Sequence, residues 1–375
     1  MELELISFIK ANSDWEKILS EKPYCLSISR DKMFGKNLIM FKYSQIDSDF
    51  SNEIVKESRG IILDEDTLEV VCYPFRKFMN YGEPTADPIN WNTATISQKI
   101  DGSLIKIVRL GDNLLISTNG TIDAFKASVT PQVGCPYNSF GDIVQSLLNS
   151  HGDYLKYFKE DITYMFELVS PWTRVVIPYN VPRLYFLGMR GNGSYQEYDA
   201  SFAPTICKDF PTPEIFSFGT FDDCIANATQ LPWDFEGYVV RDADFHRVKV
   251  KSPAWIAVHH IKDNGAMSYS RAIELIRTNE VGEVLTYFPE LEEEFGKIQL
   301  KYTEFVGKSV SVWNEFDKEF SGRIATRKEM ALWIQKHFPI PAIGFSMLDR
   351  KISSVEDWFK NCNIDYLVKA LGFKQ

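Results

Sequence analysis

The sequence predicts an α+β protein in two parts, a β-rich body followed by a helical tail. Three observations predict it. From Asn37 to about Lys251, short runs rich in Val, Ile, Tyr and Phe are separated by turns of Gly, Asn, Asp and Pro, the pattern of short strands in an antiparallel sheet. After Lys251 the period changes. Phe295, Ile298, Tyr302, Phe305, Val312, Phe316 and Phe320 recur at spacings near three and four, with Ser309 in the one gap. That stripe predicts a long amphipathic helix packed on a core. Finally, 375 residues, 45% of them hydrophobic, suffice for a separate core in each of two domains. The change of pattern near residues 252–268 sets the expected domains at 1–255 and 256–375.

The elements follow in order. Residues 1–36 read as a short helical start and then irregular structure. Leu104–Leu110 and Leu114–Thr118 flank Gly111-Asp-Asn113 and read as a hairpin. Phe140–Phe158 has helical spacing and is expected to cross over the sheet. Lys328–Phe338 and Ser354–Leu371 read as helices, divided by Pro339-Ile-Pro341 and a turn at Gly344. There is no internal repeat. No apolar run approaches membrane-spanning length, and Met1-Glu-Leu-Glu-Leu-Ile lacks the basic start of a signal peptide. A soluble, cytoplasmic protein is expected, with no membrane partner. Six scattered cysteines without paired spacing predict reduced thiols and no zinc site. The net charge of -10 argues against coating nucleic acid by charge alone. Residues 261–375 carry 16 Lys+Arg against 17 Asp+Glu, so the acidic excess lies in the β-rich part. Any anion held there needs a few well-placed cations.

Several segments could carry chemistry. In Thr95–Val108, Lys99-Ile-Asp101-Gly102-Ser103 puts a lysine at the edge of an Asp-Gly turn between two strand-like runs. Partial desolvation there would lower its pKa and free the amine as a nucleophile. A solvated lysine beside a turn is the plainer alternative. In Val248-Lys-Val-Lys251, strand alternation puts Lys249 and Lys251 on one face. Two like charges side by side are costly unless an anion covers them. Glu167 shares a face with Met165 and Val169, so it is expected to be paired, with Arg174 the candidate partner, or to bind a ligand. Glu236-Gly237 opens a strand, where the glycine admits close backbone approach. Arg59, in Ser-Arg-Gly, offers a planar fork suited to phosphate. In Cys72–Asn80, alternation puts Lys77 and Arg76 on opposite faces. Tyr43 reads as core packing until a likeness says otherwise.

In this order, Glu57-Ser-Arg-Gly-Ile-Ile-Leu63, Lys-x-Asp-Gly-Ser, Tyr164-Met-Phe-Glu-Leu-Val169, Leu184-Tyr-Phe-Leu-Gly-Met-Arg190, Glu236-Gly-Tyr-Val-Val-Arg241 and Val248-Lys-Val-Lys-Ser252 resemble the motif series of the covalent nucleotidyltransferases, the ATP-dependent ligases and mRNA capping enzymes. The series most resembles the phage-type ATP-dependent RNA ligases of the first, tRNA-repair type. The likeness covers roughly the first two-thirds of the chain. It implies an antiparallel-sheet, ATP-grasp-like ligase domain followed by an all-helical C-terminal domain. An OB-fold barrel, which DNA ligases and capping enzymes append, would need several short alternating strands that this tail lacks.

The resemblance assigns roles. Lys99 would attack ATP and carry AMP covalently, with Mg2+ or Mn2+ as the metal. Asp101 would orient the lysine or a metal-bound water. Lys249 and Lys251 would contact the nucleotide phosphate, Glu167 the ribose, and Glu236 the region of the metal and the nucleophile's phosphate. Gly102 and Gly237 would let the nucleotide approach. Arg59 would bind ATP and the RNA 5′-phosphate, Lys77 the triphosphate, and Phe78 and Tyr43 the nucleotide. Trp255 stands where the family has an essential aromatic, usually tyrosine. Glu283, with Glu280 as alternative, is the nearest match to the metal-binding acid of the helical domain. One departure is Asn119, where a close member of the family has a lysine; the phosphate contacts there are expected to be weakened or to come from elsewhere, with Lys126 a candidate. The implied partner is RNA with 5′-phosphate and 3′-hydroxyl ends, with tRNA a candidate. A separate kinase/phosphatase would heal the ends, and the chain would act as a monomer. The competing readings are a DNA ligase or capping enzyme, and a non-catalytic RNA-binding protein on a decayed ligase fold. The intact set Lys99, Glu167, Glu236, Lys249 and Lys251 argues against decay.

Overall fold

The computed structural model describes residues 2–45, 47–129, 134–263, 266–278, 281–282, 285 and 291–373. Two compact units divide the chain, Met1–Ile256 and Ala257–Gln375. The first carries β1 (Ser27–Met33), β2 (Lys36–Lys42), β3 (Arg59–Asp64), β4 (Val70–Cys72), β5 (Met79–Asn80), β6 (Thr95–Gln98) and β7 (Ser103–Leu110). It continues with β8 (Asn113–Thr118), β9 (Ile162–Val169), β10 (Arg183–Gly191), β11 (Glu197–Asp199), β12 (Ile215–Phe216), β13 (Gly237–Arg241) and β14 (Arg247–Lys251). They form three sheets, ordered β1-β2-β3-β4, β11-β10-β9-β7-β8 and β12-β6-β13-β14-β5. Their pairs are antiparallel except β5 beside β14. The fold is thus mixed α+β with antiparallel sheets, as the turn-punctuated runs predicted.

The first sheet departs from expectation at its edge. Residues 27–33 are a strand, where irregular structure was expected. Arg30, Asp31 and Lys32 give them no apolar alternation to read. A two-residue turn at Phe34-Gly35, both at positive φ (51° and 78°), matches strand twist and lays β1 on β2. One face of this sheet packs Phe41 and Ile61 against Leu5, Ile9 and Leu19 of the N-terminal helices Glu4–Ala11 and Trp15–Ser20. Buried Glu57 fixes that packing, accepting from the backbone N–H groups of Glu4 (3.2 Å) and Leu5 (2.9 Å).

The other face meets the second sheet through Leu38, Met40, Ile62, Val108 and Leu115. Thr163 links the two sheets. Its hydroxyl oxygen accepts from Tyr73 N–H at 2.8 Å and its hydroxyl donates to Asn192 Oδ1 at 2.6 Å, while Asn192 donates to Val71 O at 2.8 Å. The helix Phe140–Asn149 starts in a capping box of Ser139 and Asp142 and covers the second sheet with Ile143, Val144 and Leu148. It is shorter than the spacing suggested. Gly152, at φ 72°, follows its end, and Tyr154–Tyr157 is a separate 3-10 turn.

The third sheet presents Ile96, Tyr238, Val240, Val248 and Val250 to the helix Phe221–Ala228. That leaves its opposite face free for polar side chains.

The helix Pro253–Ile261 crosses the boundary between the units, and a two-stranded ribbon, Lys262–Asp263 with Ala266–Met267, follows it before the other helices, so the second unit is helical without being purely so. The helices are Tyr269–Thr278, Glu292–Phe320, Arg327–His337, Pro341–Leu348, Val355–Asn361 and Ile364–Ala370. The 29-residue helix buries Phe295, Ile298, Ser309, Val312 and Phe316, the stripe read from sequence. Ser309 fits because its hydroxyl donates to Phe305 O at 2.9 Å. Gly344 lies inside a helix rather than at a turn. A Cβ there would stand 2.6 Å from Ile334 Cγ2, so the glycine permits close helix packing. The expected helix over Ser354–Leu371 is two helices, because Asn363 caps a new start by accepting from Tyr366 N–H at 3.0 Å. Among the described residues no helix is long and apolar enough to cross a membrane.

Thr163→Val keeps the shape but strands the Tyr73 N–H and the Asn192 carbonyl. Each buried group left unsatisfied costs about 1–3 kcal/mol. Urea unfolding should show a loss of at least that size with an unchanged slope.

Candidate active site

Lys99 leaves the end of β6 with its backbone N–H donating to Gly237 O at 2.8 Å. In the neighbouring pair, Gly237 lies opposite Lys251, and Val239 opposite Lys249. The third sheet therefore brings Lys99, Glu236 and Lys251 to one end of three adjacent strands. Val248 and Val250 are buried while Lys249 and Lys251 are half-exposed on the other face, as alternation required.

The closest contact is an ion pair. Lys99 Nζ stands 2.8 Å from Glu236 Oε1, and Lys251 Nζ stands 3.5 Å from the same oxygen. Burial pulls the Lys99 pKa down, but the carboxylates of Glu236, Glu167 and Asp101 outweigh it and hold the ammonium above the ordinary lysine value. This corrects the expectation of a depressed pKa. A strand-end lysine is desolvated, as expected, but it is also ringed by carboxylates.

Glu167, on β9, is pushed up to about 7 by burial, against the pull of Lys99. The ion pair considered with Arg174 is not formed. Arg174 Nε donates instead to Val176 O at 2.7 Å. Asp101 is buried and accepts from Val176 N–H (2.9 Å) and Ile177 N–H (2.6 Å). Burial raises its pKa. It thus anchors a loop as well as adding charge near Lys99.

Two glycines are required by close approach. A Cβ on Gly102 would lie 2.4 Å from Leu168 O, and one on Gly237, at φ 134°, would lie 2.2 Å from Val250 O. Either side chain would push apart the strands that carry Glu167 or Lys251.

Further cations rest on aromatic rings. Arg59 lies 5.0 Å from the Phe78 ring centroid and Lys249 Nζ lies 5.5 Å from it. Lys77 Nζ is 4.9 Å from the Tyr43 ring and 4.8 Å from that of Phe50, and it donates to Gln45 Oε1 at 3.1 Å. Tyr43 is buried in the core of the first sheet, and neither it nor Lys77 lines the pocket onto which Lys99 opens. Arg76 pairs with Glu53, away from Lys77, as strand alternation suggested. Lys251 Nζ is 4.4 Å from the Trp255 ring, a contact that needs an aromatic face and no hydroxyl. Burial is the main cause that depresses Lys249 to about 7 and Lys77 to about 8, reinforced by neighbouring cations. Burial likewise lowers Lys251.

A pocket of about 640 Å³ opens onto this cluster, lined by Lys99, Gly102, Arg59, Phe78, Glu167, Lys249 and Lys251 among others. A concave site with converging cations and perturbed carboxylates fits a polyphosphate nucleotide.

A family model described as RNA ligase matches residues 57–255. The chain belongs to this RNA ligase family. It is 27% identical over 194 residues to RNA ligase 1 of bacteriophage TS2126, covering 49% of this chain and 45% of that protein. It is 23% identical over 364 residues to an RNA ligase of Rhodothermus phage RM378, covering 80% and 81%. A baculovirus protein described as a candidate bifunctional polynucleotide kinase/RNA ligase, from Autographa californica nuclear polyhedrosis virus, is 29% identical over 279 residues, covering 68% of this chain but 38% of that protein. An archaeal ATP-dependent RNA ligase structure superposes with a TM-score of 0.49 at 12% identity over 80% of this chain and 82% of that one.

Two assignments change or fall away. Lys126 does not replace the lysine absent at 119. It is exposed and paired with Asp31 at 2.5 Å, while Asn119 lines the pocket. Glu283 and Glu280 lie outside the described residues.

Sequence reasoning also missed part of the wall. Arg247 continues the Lys249–Lys251 face, pairs with Glu197 and sits 4.5 Å from the Phe75 ring. Arg241 pairs with Asp199 at 3.3 Å, and both arginines line the pocket. The alternation of Arg247-Val-Lys-Val-Lys251 would have found Arg247. The carboxylate partners on β11 had no sequence signal.

A bound triphosphate raises the pKa of each lysine it covers. Lys249 and Lys77, free at about 7 and about 8, are partly neutral at pH 8 and become protonated on binding. Calorimetry at pH 8 in buffers of different ionisation enthalpy should therefore show net proton uptake with a non-hydrolysable ATP analogue. Uptake should fade at pH 6, where both lysines are already charged.

Proposed function

We propose that this chain is an ATP-dependent RNA ligase that joins a 5′-phosphate to a 3′-hydroxyl through AMP carried on Lys99. The observation that carries the reading is the Lys99–Glu236 contact at 2.8 Å, set in a pocket where Arg59, Lys249 and Lys251 converge. Family membership supports it.

In the first step the Lys99 amine attacks the α-phosphorus. An N–P bond forms, the bond to the bridging oxygen breaks, and pyrophosphate leaves with the electron pair. Lys99 starts as an ammonium, so a proton must leave first, and Glu236 is the nearest acceptor. Lys249, Lys251 and Arg59 neutralise charge on the phosphate oxygens. Glu167 holds the ribose, and Phe78 supplies an apolar wall. Glu236 and Glu167 bring carboxylate oxygens near Lys99, the donor type that Mg2+ or Mn2+ takes, while Asp101 is committed to the Val176 and Ile177 N–H groups. An ion held by Glu236 and Glu167 would offset charge on the α-phosphate. In the second step a 5′-phosphate oxygen of RNA displaces Lys99, and AMP moves to the strand. In the third step the 3′-hydroxyl displaces AMP and seals the strand.

The finer reading is RNA repair in the cytoplasm, with a broken tRNA as the substrate selected by the helical unit and the chain working as a monomer. The baculovirus relative's description joins a polynucleotide kinase to an RNA ligase, and this chain matches 38% of it. That pairing supports a reading in which end healing by a kinase/phosphatase precedes sealing.

The test is self-labelling with α-labelled ATP and metal. Label should depend on Lys99, vanish in Lys99→Ala, and move to 5′-phosphorylated single-stranded RNA. Lys249→Ala or Lys251→Ala should slow labelling about a hundredfold or more. The labelling rate should climb with pH through the alkaline range, because the Lys99 pKa is raised. A label from GTP in place of ATP, or Lys99→Ala labelling normally, would overturn the reading. A chain ending at residue 260 should still label itself yet lose preference for a nicked anticodon loop. Retained preference would place selection in the first unit.

A further inference from the structure

Lys42 and Lys106 take no part in the nucleotide chemistry, yet both stand beside Arg59. Lys42 ends β2 and is paired directly with Arg59, which begins β3. Opposed residues of an antiparallel pair point to one face, so an ammonium and a guanidinium stand side by side. The register shifts between Phe41 and Lys42, opposite Gly60 at φ 80°. Such a bulge re-aims the side chains next to it.

The Asn119–Gly120 turn closes the group. A Cβ on Gly120 would lie 3.3 Å from Lys42 Nζ, and a Cβ on Gly60 would lie 2.9 Å from both Asn119 O and Lys106 Nζ. Lys106 is fully buried and donates to Gly60 O at 2.5 Å. Among the described residues no carboxylate comes within ion-pair distance of Lys42, Arg59 or Lys106. Arg59 Nε is buried there without a hydrogen-bond partner.

Three uncompensated cations around one turn cost stability unless an anion joins them. Arg59 and Asn119 line the nucleotide pocket, and Lys42 stands outside that lining. An anion that spans Arg59 and Lys42 therefore extends past the pocket lining.

We infer that Lys42 binds a backbone phosphate of the RNA strand that receives AMP, in a rim subsite shared with Arg59 and the Asn119–Gly120 turn. Asn119 brings hydrogen-bonding capacity without charge, and Lys42 brings the charge. Lys106 is a positioning residue that holds the Gly60 carbonyl beneath them. The inference rests on the RNA-ligase reading.

The experiment loads the full-length enzyme with AMP, removes ATP, and adds a 5′-phosphorylated single-stranded oligoribonucleotide. In Lys42→Gln the KM for RNA should rise about tenfold, the loss of roughly one phosphate contact, with the maximal transfer rate close to that of the parent. The salt dependence of RNA binding should become shallower by about 0.7 in log–log slope. Lys42→Arg should restore both. Because a like charge is removed, Lys42→Gln should melt no lower than the parent. An unchanged KM for RNA, an equal rise in the KM for ATP during self-labelling, or a lower melting temperature with loss of both steps would overturn the inference. If the parent enzyme never labels itself, the ligase reading fails. If it labels and seals while Lys42→Gln transfers normally, the inference alone fails.

Discussion

Repulsion among cations is the constraint around which the site is built. Arg59, Lys99, Lys249 and Lys251 line one pocket, and Lys77 adds to the field on Lys249, in a chain that is acidic as a whole. Three devices relieve the strain. Glu236 stands between Lys99 and Lys251 and touches both. Rings of Phe78, Tyr43, Phe50 and Trp255 face the cations that lack a carboxylate of their own or share one. Burial lowers the pKa values of Lys249, Lys77 and Lys251, so part of the charge is shed. A bound triphosphate would supply the countercharge that these devices stand in for.

The scaffold follows from that demand. Strong repulsion can be held only where backbone is rigid. Lys99, Glu236, Lys249 and Lys251 therefore sit on or beside three hydrogen-bonded strands whose reverse face packs Ile96, Tyr238, Val240, Val248 and Val250 into a core. Arg59 and Lys77 come from elements braced by the first sheet, and Glu57, two residues before Arg59, is itself anchored on the N-terminal helix. Gly102 and Gly237 let the strands approach closely enough for Glu167 and Lys251 to face Lys99.

Much of this was legible in the sequence, for a physical reason. Strand alternation is local, so Val248-Lys-Val-Lys251 announced a face of charge over a face of core. Helical period is local too, and the stripe from Phe295 to Phe320 gave the long helix. The failures are non-local. The Lys99 pKa is set by carboxylates distant in sequence, so an argument from strand-end desolvation had the wrong sign. Residues 27–33 are a strand because β2 offers a buried partner and Phe34-Gly35 turns the chain, neither of which shows as alternation within them. Gly344 looked like a breaker, and only its neighbours Ile334 and Phe338 reveal that it is a packing notch.

Asn119 shows how charge can move while geometry stays. A lysine at that position would project from the β8 turn into the pocket. Here the turn is neutral, yet ammonium groups reach it from two sides, Lys42 from β2 and Lys106 from β7. The field at the rim is thus kept positive by residues that sequence order separates widely. Lys42 lies outside the pocket lining while Asn119 lies within it. On the subsite inferred above, the Lys42 charge would therefore act more on an incoming strand than on a free triphosphate, because Coulomb attraction falls with distance and is screened by solvent.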